Sequence, residues 1–207
     1  MKLIDRGYYY DVYDLGGGFV YKKRRNIFLT LLFFIFHFRN KLNKLSSQVN
    51  YFLFVNKNLK NNYSKIPKCC YSILGNPVFN KNGIDYKQDK CLILKDCLKD
   101  ISRNDFIFWV DEYIKTIHMT WMYGFSDVIF NITMNTGKDI SGNIVQVDFN
   151  EISFNKEDVL KQLNKKYWNY NFSFNQLSDE QRKVFLEKMD KEINKEKLEM
   201  FWNSKTC

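Results

Sequence analysis

The first 25 residues alternate between apolar and polar positions with a period of two, which is typical of β-strands. Three short segments follow this pattern, LID, DVYDL and FVYKK, and a run of three glycines at residues 16–18 separates the last two. Glycine favours a tight turn because it adopts left-handed backbone conformations without steric cost. The sequence therefore predicts three strands with a glycine turn between the second and the third.

Residues 27–47 have a different pattern, in which Leu, Phe and Ile fill every face and Gly and Pro are absent. This pattern predicts a helix packed on a sheet. Its apolar run of about a dozen residues is shorter than the ~20 that a membrane-spanning helix needs, so no transmembrane segment is predicted. A second interpretation is a membrane-surface segment whose basic flank, KKRR at residues 22–25, contacts anionic lipid.

The middle of the chain predicts short strands and then a long helix. Residues 71–94 favour two or three strands, because the turn sequences GNP and NKNG divide the apolar runs. Residues 103–124 favour a helix with acids in its first turn, an N-cap at Asn104 and a stop at Gly124. Together with the first segment, this order predicts the α+β class.

The rest of the chain predicts a hairpin followed by helices. Residues 130–149 favour two strands around a polar turn, and the second strand, within GNIVQVDFNE, ends on an acid, Asp148. A carboxylate at the apolar end of a buried strand needs a partner, because burying an unpaired charge is costly. Ser178 begins a capping box. Three helical segments follow the hairpin, near residues 156–166, 178–191 and 194–203.

Charge and cysteine content restrict the function classes. The net charge is +9, and the stretch from Leu15 to Ile84 contains twelve Lys or Arg and no acid, which leaves a net charge of −3 elsewhere. A basic front half suggests an anionic partner, either nucleotide, nucleic acid or acidic lipid, with a merely solvated basic face as the alternative. Five cysteines without framework or CxxC spacing predict no disulfide scaffold or zinc site, and a reducing, cytoplasmic location.

Two segments of the first half resemble parts of the protein-kinase-like superfamily. LIDRGYYYDVYDLGGGFVYK resembles the nucleotide-covering hairpin and the lysine strand. The resemblance implies that Gly7 lies in the turn over the phosphates, Val12 covers the adenine and Lys22 reaches the α and β phosphates. CLILKDCL resembles the last strand of the small lobe and its hinge, which implies that the backbone at Leu94 and Asp96 bonds the adenine edge.

Two further segments resemble the catalytic loop and the metal-binding motif of that superfamily. GFSDVIFNITM resembles H-R-D-x-x-x-x-N followed by a strand, which implies that Asn131 binds metal and that NITM belongs to the strand. Ser126 occupies the position of the usual base, so a loop shorter by one residue would assign that role to Asp127. VQVDFN resembles D-F-G with Asn150 in place of Gly, which implies that Asp148 holds Mg²⁺.

The resemblance covers residues 3 to about 155 and implies a two-lobed, protein-kinase-like fold. A β-rich N-lobe with one helix would span residues 1–96, and a reduced helical C-lobe would span residues 97–207, with the catalytic-loop-like hairpin at residues 125–151. ATP and Mg²⁺ are the implied cofactors. The chain has no Ala-Pro-Glu segment and no long activation segment, so a non-protein acceptor is expected, as in small atypical bacterial-type kinase-like proteins.

Two other functions fit the sequence, and both involve a protein or nucleic-acid partner. A catalytically inactive pseudokinase or interaction module fits Ser126 and the absence of an acid on the helix after Lys22. A basic nucleic-acid-binding or ribonucleoprotein subunit fits KKRR and the three tyrosines at residues 8–10. Because no helix acid is present to pair with Lys22, we also expect Lys22 to contact Asp148 or to face solvent.

Overall fold

The computed structural model describes residues 1–38, 42–171 and 174–205, with side chains for all of these except residues 37, 38 and 42–44. The protein is of the α+β class, and its sheets are antiparallel. The chain forms two compact units. The first unit contains Met1–Lys65 and Pro77–Lys90, and the second contains Ile66–Asn76 and Cys91–Cys207. The division after Lys90 lies six residues before the one expected from the sequence.

A five-stranded antiparallel sheet forms the base of the first unit. Its strands are β1 (Lys2–Arg6), β2 (Tyr10–Gly16), β3 (Phe19–Arg24), β4 (Val78–Phe79) and β5 (Tyr86–Asp89). Their order in the sheet is β1-β2-β3-β5-β4. The three predicted strands at the start of the chain are confirmed. The glycine turn is confirmed too, since glycines 16–18 all have positive φ.

Two helices of the first unit connect β3 to β4. They are α1 (Ile27–Phe38) and α2 (Leu42–Lys65). The sequence predicted one helix over residues 27–47, so the extension of helical structure to Lys65 was missed. The buried side chains of α2 do follow helical spacing, at Phe52, Val55, Leu59 and Tyr63. Many Asn residues on the other faces of α2 lower its intrinsic helix propensity and hide this pattern.

The second unit contains the remaining elements. In chain order they are β6 (Leu92–Ile93), α3 (Leu94–Cys97), α4 (Arg103–Met122), β7 (Ser126–Asp127), α5 (Ile132–Asn135), β8 (Thr136–Lys138), β9 (Ile144–Gln146), β10 (Ile152–Ser153), α6 (Lys156–Asn164), α7 (Asp179–Glu192) and α8 (Lys195–Phe201). Strands β6, β8 and β9 form one antiparallel sheet, and β7 pairs with β10. The predicted hairpin and the three closing helices are confirmed, as is the capping box at Ser178.

Helix α4 runs through the core of the second unit. Its fully buried aromatic side chains follow the i, i+3, i+4 spacing of one helix face: Phe106, Trp109, Tyr113 and Trp121. The helix ends at Met122, and Gly124, whose φ of +75° favours glycine, follows the C-cap Tyr123. Its N-cap lies two residues earlier than expected, at Ser102, whose side chain accepts a hydrogen bond from Asp105 N. The predicted N-cap, Asn104, is an ordinary exposed residue of the first turn.

The segment CLILKDCL differs from the expected strand and hinge. Only Leu92–Ile93 is extended, and it pairs with β8 of the second unit. Leu94 and Asp96 lie in the short helix α3, where Leu94 is fully buried in the hydrophobic core. The run of four apolar residues that ends at Leu94 predicts a buried segment, and a short helix can bury such a segment as well as a strand can.

Among the helices of residues 1–38, 42–171 and 174–205, none is both long enough and apolar enough to cross a bilayer.

Candidate functional site

Asp127 is a buried carboxyl group at the end of the two-residue strand β7. The strand pairs with β10 so that Asp127 lies opposite Ile152, and the residue is only 4% exposed. Its Oδ1 accepts a hydrogen bond from Ile129 N at 2.8 Å, and its Oδ2 accepts one from Asn135 Nδ2 at 3.1 Å. These bonds compensate for part of the lost hydration of the carboxylate.

The environment of Asp127 shifts its protonation into the physiological range. Burial is the main cause that raises the pKa of the Asp127 carboxyl to about 7; the negative charge of Asp148 contributes a smaller upward shift, and the hydrogen bonds from Ile129 and Asn135 oppose it. A carboxyl group with this pKa can both accept and release a proton near neutral pH. Asn135 connects the two acids, since Asp148 N donates to Asn135 O at 3.5 Å and Asn135 Nδ2 donates to Asp127.

Asp148 follows the buried strand β9 and is half-buried. Its Oδ1 accepts a hydrogen bond from the side-chain amide of Asn150, and its backbone carbonyl accepts one from Gln146 Nε2 at 3.1 Å. Val147 N donates to Asn135 O at 2.8 Å, which ties the end of β9 to the start of β8. The strand end therefore holds Asp148 beside the segment that carries Asn135 and Asp127.

The asparagine that bonds to Asp127 is Asn135, whereas Asn131, the residue expected in the site, caps a helical turn. The Oδ1 of Asn131 accepts a hydrogen bond from Met134 N at 3.1 Å and caps α5. The segment NITM, which was expected to be a strand, is therefore a helical turn, and strand β8 begins only at Thr136. Asn135 is the residue that directly precedes this strand and binds Asp127. Its position before the strand was the sequence signal that could have identified it.

The loop between Asp127 and α5 is held in an unusual conformation. Phe130 is fully buried and has a φ of +53°, a left-handed conformation that costs about 1–3 kcal/mol for a residue of this kind. Asn171 Nδ2 donates to Ile129 O at 3.0 Å and to Phe130 O at 2.9 Å, and the Trp168 ring packs edge-on against Phe130. Strained backbone that its surroundings maintain is common at functional sites.

Two neighbouring hydroxyl groups differ in their hydrogen bonding. Ser126, at the position of the expected base, accepts from Trp121 Nε1 and donates to Asp127 O, both at 2.9 Å, so it is a structural residue here. The Tyr113 hydroxyl is buried and has no hydrogen-bond partner among the residues that the structure describes. Burial and the charge of Asp127 raise the Tyr113 pKa well above its usual value, so it stays protonated. The sequence identified Tyr113 only as a core residue.

The predicted nucleotide-contacting residues of the first unit lie on its sheet. Val12 on β2 is the cross-strand partner of Lys22 on β3, so their side chains share one face. Lys22 is 8% exposed, which excludes the expectation that it faces solvent. Its Nζ lies 5.6 Å from the centroid of the Tyr86 ring. Gly7 lies in the turn after β1, where its N–H donates to Tyr10 O at 2.8 Å.

The structure assigns the remaining predicted site residues to different units. Lys22 belongs to the first unit and Asp148 to the second, and the predicted contact between them stays a prediction. Leu94 and Asp96 belong to the second unit. A cavity of about 470 Å³ in that unit lies between the loop after α3 and the start of α7, and residues such as Arg103, Gln176 and Gln181 line it. Its lining includes neither Asp127 nor Asp148.

The donor set of this cluster fits a magnesium ion that is also held by a substrate. In the described part of the chain, no three His, Cys, Asp or Glu side chains group together as a metal site. Mg²⁺ is typically held by only one or two carboxylates together with phosphate oxygens and water. Asp148 and the amide oxygen of Asn135 are oxygen ligands of this kind, and zinc ligands such as Cys or His are not among them.

In comparisons with known proteins, the chain matches no protein-family model and no curated protein.

Proposed function

We propose that the protein is a nucleotide-binding protein with a two-lobed, protein-kinase-like fold that binds ATP with Mg²⁺ and transfers phosphate to a non-protein acceptor. One observation carries this proposal: Asn135 links the two acids of the second unit, because its Nδ2 donates to Asp127 Oδ2 and its carbonyl accepts from Asp148 N. Such a group of one buried and one half-buried acid serves no packing purpose, since two carboxylates that share a site repel each other.

Asp127 is the residue suited to the role of general base. Its carboxyl has a pKa of about 7, which is near the optimum for a group that accepts a hydroxyl proton at neutral pH. Asn135 and the Ile129 N–H fix the orientation of the carboxylate. The nearby Tyr113 hydroxyl stays protonated and is therefore a donor that can orient either Asp127 or a bound acceptor.

Asp148 and Asn135 would hold the magnesium ion together with the phosphates of ATP. When bound, the ion would neutralise negative charge on the β and γ phosphates. The residues of the chain then have three tasks. Asp148 brings a half-buried carboxylate to the end of a rigid strand, Asn135 bonds to Asp127, and the strained loop at Phe130 determines where Asp127 points.

The sheet of the first unit supplies features that a nucleotide-covering lobe needs. Val12 and Lys22 are on one face, as an adenine-covering side chain and a phosphate-binding cation would have to be. Lys22 is buried, which strengthens its electrostatic interaction with an anionic ligand because little water screens the charge. Leu94 and Asp96 are not retained as adenine contacts, since Leu94 is committed to the core of the second unit.

The short segment after Asp148 supports a small or lipid acceptor. Strand β10 begins at Ile152 and helix α6 at Lys156, so only a few residues separate the metal ligand from the next helix. Protein kinases dock peptides on the long segment that follows this position, between their DFG and APE motifs. The chain lacks the space for such a platform at this point.

Thermal-shift measurements on the full chain test the proposal. We expect millimolar ATP with Mg²⁺ to raise the melting temperature by a few degrees, because ligands that bind only the folded state stabilise it. Asp148→Asn and Lys22→Met should abolish the shift. Asp100→Asn, which removes an exposed acid from the same unit, is the matched control and should respond like the wild type. No shift with the wild type, or the same shift in Asp148→Asn, contradicts nucleotide binding.

A second candidate function is a pseudokinase that binds a partner without chemistry. Asp127 is 4% exposed and has a hydrogen bond to each oxygen, which favours a structural role for this carboxyl. The two candidates differ in turnover. ATP hydrolysis by the wild type that exceeds hydrolysis by Asp148→Asn supports the enzyme, and nucleotide binding without such hydrolysis supports the pseudokinase.

A further inference from the structure

Helix α1 exposes an almost entirely apolar outer face. Six of its side chains are exposed: Ile27, Phe28, Leu29, Phe33, Ile35 and Phe36. Phe28 and Phe36 are the most exposed, at 66% and 70%, and their spacing of eight residues places them on one side of the helix, two turns apart. Single exposed apolar residues are ordinary, whereas a continuous exposed face of this kind marks an interaction surface.

The opposite side of α1 fixes the helix on the rest of the first unit. Thr30 is fully buried, and its Oγ1 donates to Tyr8 O at 3.3 Å. Phe34 is 3% exposed and packs edge-on against Phe52 of α2, with ring centroids 5.3 Å apart. Phe33 also packs against the Tyr8 ring, with centroids 5.9 Å apart, so Phe28 and Phe36 are the side chains of α1 that remain most exposed.

The charge around this face has a single sign. The first unit has 15 Lys and Arg residues and only five acids, all Asp. These acids lie in or beside the sheet strands, and none lies on α1 or α2. Lys23 is exposed and lies four residues before the start of α1, and α2 adds exposed Lys57 and Lys60. The apolar face therefore has basic neighbours and no acidic ones along the two helices.

The length of α1 decides between crossing and lying on a bilayer. Its 12 residues extend about 18 Å, whereas the hydrocarbon core of a bilayer is about 30 Å thick. A short helix with exposed Phe and Leu side chains and basic flanks is suited to the interface, with its axis in the membrane plane. Basic residues beside such a helix are attracted to anionic lipids.

We propose that α1 docks the protein on an anionic phospholipid surface, with Phe28 and Phe36 inserted between the acyl chains and the neighbouring basic residues at the headgroups. Apolar insertion provides most of the affinity, and charge selects the acidic membrane. The proposal does not depend on nucleotide binding, because all of its residues belong to the first unit and none of them is Val12 or Lys22.

Vesicle co-sedimentation of the full chain tests this proposal. The vesicles contain either phosphatidylcholine alone or about three parts phosphatidylcholine to one part phosphatidylserine. We expect the wild type to sediment with the anionic vesicles far more than with the neutral ones, and less so as salt rises. The double variant Phe28→Ser, Phe36→Ser should bind at least about tenfold more weakly, since two large apolar side chains no longer insert.

A matched control removes exposed apolar side chains from the second unit. Ile140 and Tyr170 are 99% and 77% exposed, and the double variant Ile140→Ser, Tyr170→Ser should bind vesicles like the wild type. Both double variants should melt at the wild-type temperature, because exposed side chains add little stability. Equal loss of binding in the two double variants, or wild-type binding by the Phe28→Ser, Phe36→Ser variant, overturns the proposal.

Two other occupants of this face give different results. A second copy of the chain would appear in analytical ultracentrifugation as a dimer that the Phe28→Ser, Phe36→Ser variant loses, without vesicle binding by the wild type. Nucleic acid would appear as salt-sensitive binding of single-stranded RNA that this double variant retains, again without vesicle binding. Either result overturns membrane docking. Vesicle binding by the wild type, with neither a dimer nor RNA binding of this kind, supports it.

Discussion

The two units of the protein place their polar and apolar groups in opposite ways. The first unit has a net charge of +10 and exposes a row of large apolar side chains on α1. The second unit has a net charge of −1, buries most of its aromatic residues around α4, and also buries an acid, Asp127. Exposed apolar groups and buried charged groups are both unfavourable for folding alone.

The contrast teaches where function is to be sought in each unit. In the first unit, the unusual feature is the row of exposed apolar side chains on α1, which indicates a partner that covers it. In the second, the unusual feature is internal, so we look for a ligand or a reaction that uses the buried carboxyl. The five predictions below test this contrast, in order of decreasing expected effect, with the direct test of the site last.

The largest difference should appear when one phenylalanine is truncated in each unit. Phe106 on α4 is 1% exposed, and Phe106→Ala should lower the free energy of unfolding by about 3–5 kcal/mol, because it leaves a cavity in the core. Phe28→Ala, at a 66% exposed position on α1, should change it by about 0.5 kcal/mol or less. Urea unfolding followed by tryptophan fluorescence measures both. A large loss of stability in Phe28→Ala would show that α1 is packed and not exposed.

The next prediction concerns stability as a function of pH in the second unit. The folded-state pKa of Asp127 is about 7, above its ordinary value of 3.8, so the folded protein holds this proton more tightly than the unfolded chain. Its contribution to stability is therefore complete below about pH 4 and is lost as the pH rises to about 7. The loss amounts to roughly 4 kcal/mol. Asp127→Asn should remove this dependence and be more stable than the wild type above about pH 7.

An acid of the first unit provides the control with the opposite sign. Asp14 is exposed, and its hydrogen bond to Lys90 holds its pKa below the usual value. Its contribution is therefore present above about pH 4 and is lost as the pH falls further. Asp14→Asn should leave the slope between about pH 4 and pH 7 unchanged. An unchanged slope in Asp127→Asn would instead contradict the buried, shifted carboxyl.

Much of the fold follows from local patterns that do not need tertiary contacts. The alternation of LID, DVYDL and FVYKK, the glycine turn and the capping box at Ser178 all predicted their elements correctly. Helix α2 was missed because its apolar residues are diluted by Asn and Lys, and packing against the sheet, not propensity, makes it helical. Tertiary packing of this kind cannot be predicted from any short segment alone.

The candidate site was predictable in part. Asp148 was identified from its position at the end of an apolar strand, and Asp127 from the resemblance to a kinase catalytic loop; the structure links both residues to Asn135. Asn131 was assigned by the resemblance to H-R-D-x-x-x-x-N, a spacing that assumes a regular loop. Phe130 has a positive φ, and the helical turn α5 follows it. The strand therefore begins only at Thr136, and the amide that precedes it is Asn135, four residues after Asn131. The buried hydroxyl of Tyr113 depends on long-range packing that the sequence alone does not specify.

A third prediction concerns the loop that positions Asp127. Asn171→Ala removes two hydrogen bonds to the buried carbonyls of Ile129 and Phe130 and should cost about 2 kcal/mol of stability. Asn175→Ala, at an exposed position of the following segment, is the matched control and should be neutral. Urea unfolding measures both variants. Equal stability of the two variants would mean that the loop keeps its conformation without the hydrogen bonds from Asn171.

The smallest expected effects concern helix caps, which should be equivalent in the two units. Asn26 Oδ1 accepts from Phe28 N at the start of α1, and Ser102 Oγ accepts from Asp105 N at the start of α4. Asn26→Ala and Ser102→Ala should each cost about 1 kcal/mol in urea unfolding. Asn104→Ala should cost far less, since Asn104 does not cap the helix. A larger cost for Asn104→Ala than for Ser102→Ala would restore the N-cap expected from the sequence.

The most direct test of the carboxylate site is the binding of Mn²⁺, a paramagnetic substitute for Mg²⁺, to the full chain with ATP, measured by electron paramagnetic resonance. We predict about one bound Mn²⁺ per chain, with binding that tightens between about pH 6 and pH 8 as Asp127 loses its proton. Asp148→Asn should lose this site, and Asp100→Asn should keep it. Binding that is absent in the wild type, or unchanged in Asp148→Asn, would contradict the account.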